Sequence, residues 1–319
     1  QSVVRSVAFA DESQVVAGYD NSDIRRWSIE DGQQLGQTMQ AGKCVRSIAV
    51  SQDGRWIVSG DYGKKAIVWN ALTNKKVRHT EYRNYVYGTT DNVRLFGISS
   101  GTELLPPLSH RYIRGVKFSP DGSRFATASR DSGVRVYSTQ DGKVLFDSGT
   151  RGSTHSWWVT PLVWSADGQQ LFVASKGKIT SFSISDSSSS EWPIHENQSD
   201  ASIASNAIFI AYSAGSSVSL WDCMSHGQLG SIITHTADIQ CIALSPSGGY
   251  LACGVGNNVT VHNLRDVLPM EYFGCGVSER LHRATYHSHP STFPCLSASA
   301  RTTEWPDPQI MDTGHSNEH

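Results

Sequence analysis

Along the stretch VKFSPDGSRFATASRDSGVRVYS, Val116 to Ser138, apolar residues fall in short runs broken by turn residues. Val116 and Phe118 flank Lys117, and Val134 and Val136 flank Arg135, the period-two pattern of strands with one buried face. In the turn Ser119-Pro120-Asp121-Gly122, proline presets φ for the first corner and glycine can adopt the left-handed conformation before the next strand. The segment thus predicts two short strands joined by a tight turn, then a second turn and a third strand. The same turn returns as SQDG at Ser51, SADG at Ser165 and SPSG at Ser245.

An aromatic residue closes each third strand: Trp27, Trp69, Phe96, Tyr137, Phe182 and Trp221, with His262 in the seventh place. The intervals are 42, 27, 41, 45, 39 and 41 residues. A period of about 40 to 45 residues with four short strands per unit is the signature of β-propeller blades. The expected units run over 3–43, 44–79, 80–109, 110–152, 153–198, 199–234 and 235–273, with 274–319 as a disordered tail. The 27-residue interval leaves the third unit without the usual first strand and SPDG turn. A partial blade is expected there, with Tyr82 to Thr90 drawn inward as a substitute strand. Closure of the ring has two readings: each unit supplies its own four strands, with PMEYF ending the last, or the closing strand lies in a longer parent chain.

Over roughly Val3 to Phe273 the chain resembles WD40-repeat proteins. Trp221-Asp222 supplies the family's literal dipeptide; Trp27-Ser28 and Trp69-Asn70 are near matches, and Phe96, Tyr137 and Phe182 retain an aromatic. The family's hydrogen-bonded tetrad of histidine, serine or threonine, aspartate and tryptophan maps best onto His110, Thr127, Asp131 and Tyr137. The last unit keeps His235 but has Gly256 where aspartate is expected. The resemblance implies an all-β propeller of about seven blades, the third incomplete, acting as a non-catalytic scaffold or adaptor for a protein or peptide partner. Alternatives are a propeller enzyme with an unrecognised channel site, or a degraded fragment of a larger WD40 protein, including one of the STAND type.

Composition narrows the partners. The chain has 319 residues and a formal net charge of -2, so no global field draws it to nucleic acid or an anionic membrane. With no long apolar run, a cytoplasmic or nuclear monomeric module is expected. The six cysteines, at 44, 223, 241, 253, 275 and 295, form no C-x-x-C pair and read as buried free thiols.

Catalytic patterns fail their context tests, so no enzyme activity and no cofactor or metal is expected. Gly97–Gly101 fits G-x-S-x-G, but two prolines follow where the nucleophile elbow needs a helix. Ser175–Lys178 fits S-x-x-K without its companion motifs, and His195-Glu196 lacks the second histidine of a zinc protease. Gly254-Val255-Gly256 lacks the third glycine of a dinucleotide site, and the tail's Cys275, His282, His287, His289 and Cys295 are spaced too loosely for a structural zinc site. Ser185–Trp192 is expected from sequence alone to be a flexible, serine-rich loop able to accept phosphate. One constellation is positional: Arg5, Arg46 and Arg114 stand in the same place of successive inner strands, near one mouth of the channel. Tyr19, Tyr62, Arg130, Trp157 and Trp158 are expected on neighbouring connections. Arginines with exposed aromatics are the composition of interface hot spots, and the guanidinium suits carboxylate or phosphate groups.

Overall fold

A computed structural model describes residues 2–273 apart from 52, 64, 82–91, 99, 154–161, 166, 176, 195–200 and 207. Its regular structure is antiparallel strand throughout, with two 3-10 turns near the end. No helix among the described residues is long and apolar enough to cross a membrane.

The SPDG-type turns fold as their sequence requires. In the turn at Ser119, the Ser119 hydroxyl donates to Asp121 Oδ1 at 2.5 Å and accepts from the Arg124 amide at 3.0 Å, while Gly122 takes φ 69°. The Ser119 and Ser123 hydroxyls, both donating to Asp121, hold its carboxyl at about 2, chiefly through Ser119. The same serine–aspartate clasp forms at Ser51 with Asp53 and at Ser165 with Asp167. Each turn joins an inner strand to the middle strand of its sheet.

Six sheets result. Blade 1 comprises β1 (Val4–Phe9), β2 (Gln14–Tyr19), β3 (Asp23–Ser28) and β4 (Met39–Gln40); blade 2 comprises β5 (Val45–Val50), β6 (Trp56–Asp61), β7 (Lys65–Asn70) and β8 (Lys76–Glu81). A two-stranded sheet of β9 (Asn92–Val93) and β10 (Leu108–Ser109) follows. Blade 3 holds β11 (Ile113–Phe118), β12 (Arg124–Ser129), β13 (Val134–Ser138) and β14 (Val144–Asp147). Blade 4 holds β15 (Leu162–Trp164), β16 (Gln170–Ser175), β17 (Lys178–Ser183) and β18 (Ser189–Pro193). Blade 5 holds β19 (Ala201–Ser205), β20 (Phe209–Ala214), β21 (Ser217–Asp222) and β22 (Gln228–Thr234), and blade 6 has three strands, β23 (Ile239–Leu244), β24 (Tyr250–Val255) and β25 (Asn258–Asn263).

The blade number corrects the sequence expectation: the described residues form six blades, not seven. Among them, the third unit contributes an outer hairpin. Val93 pairs with Leu108 and Phe96 bridges Glu103, the spacing by which Ile24 pairs with Met39 and Trp27 bridges Gln34 in blade 1. β9 and β10 therefore occupy the third- and fourth-strand places of a blade whose inner two strands do not appear among the described residues. The hairpin survives because Val93 and Leu95 bury against Phe125 and Tyr137 of blade 3. The proposed substitute strand, 82–90, and the tail, 274–319, lie outside the described residues.

The remaining clusters are seams between consecutive blades. Val16, Ile24 and Met39 meet Val45, Ile48 and Trp69 between blades 1 and 2, and Val134, Val136 and Phe146 meet Leu162, Leu171 and Phe182 between blades 3 and 4. Blades 4 and 5 share Phe172, Trp192, Tyr212 and Trp221; blades 5 and 6 share Phe209, Val218, Leu251 and Cys253. β23 and β1 join blades 6 and 1, with the Val4 amide donating to the Gly256 carbonyl at 2.8 Å. PMEYF does not supply a fourth strand, which corrects one closure reading. It forms a 3-10 turn, Met270–Tyr272, whose Tyr272 ring packs on Phe209 and whose hydroxyl donates to Asp222 at 3.1 Å.

Candidate partner-binding face

The inner strands share an irregularity that governs where side chains point. The register between first and second strands slips between Val4 and Ser6, Val45 and Ser47, Ile113 and Gly115, and Ile239 and Cys241. The residue left over is Arg5, Arg46, Arg114 or Gln240 in turn. A bulge leaves its extra residue out of the ladder and re-aims its side chain. The positional arginines of the sequence are thus the bulge residues of three blades, and Gln240 is the equivalent in blade 6.

Just beyond each bulge the two strands are stitched again. The Asp20 amide donates to the Val3 carbonyl, Tyr62 to Cys44 and Arg130 to Tyr112, at 3.0, 2.8 and 3.0 Å. Asp20, Tyr62 and Arg130 therefore hold equivalent places beside the bulge residues. Arg5 makes a two-pronged ion pair with Asp20, Nε to Oδ1 at 3.0 Å and Nη2 to Oδ2 at 2.6 Å, and its Nη1 donates to Gln240 Oε1 across the seam at 3.0 Å. The Cys44 thiol donates to Asp20 Oδ1 at 2.7 Å. Hydrogen bonding to Arg5 holds the Asp20 carboxyl at about 2, with Arg46 adding its charge, while burial and the bond to Asp20 push the Cys44 thiol up to about 11. Arg46 lies over the Tyr62 ring at 5.4 Å, and Tyr62 is 59% exposed.

A second group gathers on blade 3. Arg130 stacks on the Tyr112 ring at 4.6 Å and pairs with Asp131 at 3.4 Å, and Arg111 approaches the same ring at 5.6 Å. Arg114 donates from Nη1 to the Ile113 carbonyl at 3.3 Å. Tyr112 has φ 49°, an uncommon left-handed setting for a bulky side chain, which turns it into the cationic group.

Arg5, Arg46 and Arg114 are bulge residues, and Tyr62 and Arg130 directly follow the second strands of their blades. Tyr19 is not on a connection. It ends β2 inside the core at 4% exposure, and its hydroxyl accepts from Trp27 Nε1 at 3.1 Å. Asp20, Gln240, Cys44 and Tyr112 were missed. Aligning Gly18 with Gly60 would have revealed Asp20 as the counterpart of Tyr62. Trp157 and Trp158 lie outside the described residues, as do Ser99, Lys176, the His195 motif and the cysteines and histidines of the tail.

The tetrad on blade 3 forms in part. His110 is buried, and its Nδ1 shares a 2.6 Å hydrogen bond with the Thr127 hydroxyl, while its Nε2 meets the Ser132 carbonyl at 3.2 Å. Asp131 turns instead to Ser129, Ser132 and Arg130, and the Tyr137 hydroxyl donates to the Ser109 carbonyl at 3.4 Å. The four cysteines described, Cys44, Cys223, Cys241 and Cys253, are all free thiols.

The profile of the "WD domain, G-beta repeat" matches residues 33–70, 103–138 and 227–263, covering parts of blades 1 and 2, the outer hairpin with blade 3, and blades 5 and 6. The chain carries WD40 repeats. WD repeat-containing protein 1 of Gallus gallus is 29% identical over 143 residues, 42% of this chain, which spans only 23% of that relative's length. Two WD40 propellers share the fold. The Cps50 (Swd1) β-propeller domain of Myceliophteria thermophila superposes with a TM-score of 0.68 at 15% identity, covering 82% of this chain and 98% of that one. The RRP9 WD40 repeats give 0.66 at 18% identity, covering 81% and 88%. WD40 propellers generally act as protein-interaction scaffolds.

Proposed function

We propose that this chain is a non-catalytic interaction module whose bulge-bearing mouth engages a protein or peptide segment carrying carboxylate or phosphate groups. The observation that carries the reading is the repeated bulge at Arg5, Arg46 and Arg114. Three blades spend a ladder position to re-aim an arginine at the same level of the ring, beside exposed Tyr62 and the Tyr112 cation group. Guanidinium groups with aromatic neighbours recognise planar anions by paired hydrogen bonds, and such residues dominate interface energies. Arg5, bonded to Asp20 and Gln240, stiffens the mouth, and the recognition surface is built from Arg46 over Tyr62, Arg130 over Tyr112, and Arg114.

The test is capture from a lysate with the whole chain and with an Arg46→Ala/Arg114→Ala variant that melts at the same temperature as the parent. A captured protein is then purified and titrated against both forms. Loss of at least about tenfold in affinity, with a parent affinity that falls as salt rises, supports the reading. Equal affinity of the two forms moves the binding face elsewhere, and recovery of chaperones alone removes the scaffold reading.

A further inference from the structure

Blade 6 departs from blade 3 at the positions where blade 3 makes its internal hydrogen bonds. Thr127 pairs with Arg135 across the second and third strands, and Phe125 with Tyr137; in blade 6 Cys253 pairs with Thr260, and Leu251 with His262. Cys253 therefore stands in the place of Thr127 and His262 in the place of Tyr137. His235, on the connection entering blade 6, stands in the place of His110. A hydroxyl and a phenol have been exchanged for a thiol and an imidazole, leaving a histidine, a cysteine and a histidine at the blade 5–blade 6 seam.

The three donor atoms lie within 4.8 Å of one another, and the two Nε2 atoms face each other at 3.2 Å. A tetrahedral ion with bonds of about 2.0–2.1 Å to nitrogen and about 2.3 Å to sulfur needs its ligands about 3.3–3.6 Å apart. The imidazole pair already has that separation, and the sulfur needs a shift of no more than about 1.5 Å. We propose that His235, Cys253 and His262 bind one borderline divalent metal ion, with Zn²⁺ as the fitting cation. Burial lowers the proton affinity of both histidines, and His235 also disfavours charge on His262, which leaves the imidazoles neutral. Cys253 is fully buried and its thiol is pushed up to about 12, so the metal must displace one proton to form the thiolate. The histidines are only half-buried, and no fourth strand covers β25 among the described residues. The fourth coordination position accordingly faces solvent or a partner group, as in zinc sites that keep a place open.

Titration of the chelator-treated full chain with Co²⁺ tests the site, because a cobalt–thiolate bond gives a charge-transfer band that imidazoles alone do not. One equivalent of Co²⁺ should raise the band, release about one proton, and be displaced by Zn²⁺. Cys253→Thr installs the residue that blade 3 uses in this place, and His262→Tyr does the same for the imidazole. Each variant, checked for parent-like melting without metal, should lose the band at one equivalent and bind Co²⁺ at least about tenfold more weakly, since removal of a ligand outweighs the about 10–100-fold cost seen for outer-shell partners. If one variant fails to fold, the other carries the test. A band of unchanged strength in a folded Cys253→Thr variant assigns the thiolate to another cysteine and overturns the site. Folded parent protein that raises no band at one equivalent overturns it also, leaving His235 and His262 as a hydrogen-bonded neutral pair.

Discussion

At the residue scale, the mouth is organised by Asp20. Its carboxylate receives Arg5 and the Cys44 thiol, and lies in the field of Arg46. The folded carboxyl titrates at about 2, below its ordinary 3.8, so ionised Asp20 favours the folded state. That contribution is complete above the unfolded pKa and is lost as pH falls from about 5 to about 2. Both partners are about a third exposed, so solvent and salt weaken the pair. Urea titrations at low ionic strength should show the stability gap between the parent and Asp20→Asn shrinking across that pH range, and a constant gap would deny the pair its role. The sequence marked Arg5 by its repeat but gave no sign of Asp20 as its partner. Placing Tyr19 on the surface was a one-residue error, and in a strand one residue exchanges the core face for the outer face.

At the element scale, close packing between blades depends on residues without side chains. Gly18 and Gly254 lie on middle strands opposite Ser6 and Cys241, and a methyl group on either would overlap the next blade, at Val45 and at Val4. Gly60 holds the same place in blade 2, opposite Ser47, yet among the described residues a methyl there meets only the Ser47 Cβ at 3.8 Å. No inner strand of a following blade lies against it among the described residues. Gly18→Ala should therefore cost about 1–3 kcal/mol by overpacking, while Gly60→Ala should be neutral or add about 0.4–1 kcal/mol by restricting the unfolded chain. Denaturant midpoints decide this, and an equal loss in both variants would place a tight neighbour beside Gly60. The turns and alternating strands of these elements were legible because they depend on residues a few places apart. The outer hairpin at β9 and β10 was not, because its short strands are fixed by burial on Phe125 and Tyr137.

At the scale of the whole molecule, stability follows the order of seams. Blade 4 packs on blades 3 and 5 through β15, whereas β5 of blade 2 packs on β1 and has no comparable inner-strand contact with β11 among the described residues. In a repeat architecture a unit coupled on one side opens before units coupled on both. Native-state hydrogen exchange should accordingly find β5 and β6 less protected than β16 and β17, and the reverse order would imply a full inner strand between blades 2 and 3. By itself the sequence determined the strand-and-turn unit, its recurrence and the matching strand positions of the three arginines, since alternation, turn chemistry and spacing are local properties. Only the tertiary structure decided that the described residues form six blades, the last with three strands, that each of those arginines is a bulge, that Asp20 and Gln240 receive Arg5, and that His235, Cys253 and His262 converge. Those outcomes depend on strand register and on which blade lies against which, and they join residues that the chain keeps up to 235 positions apart.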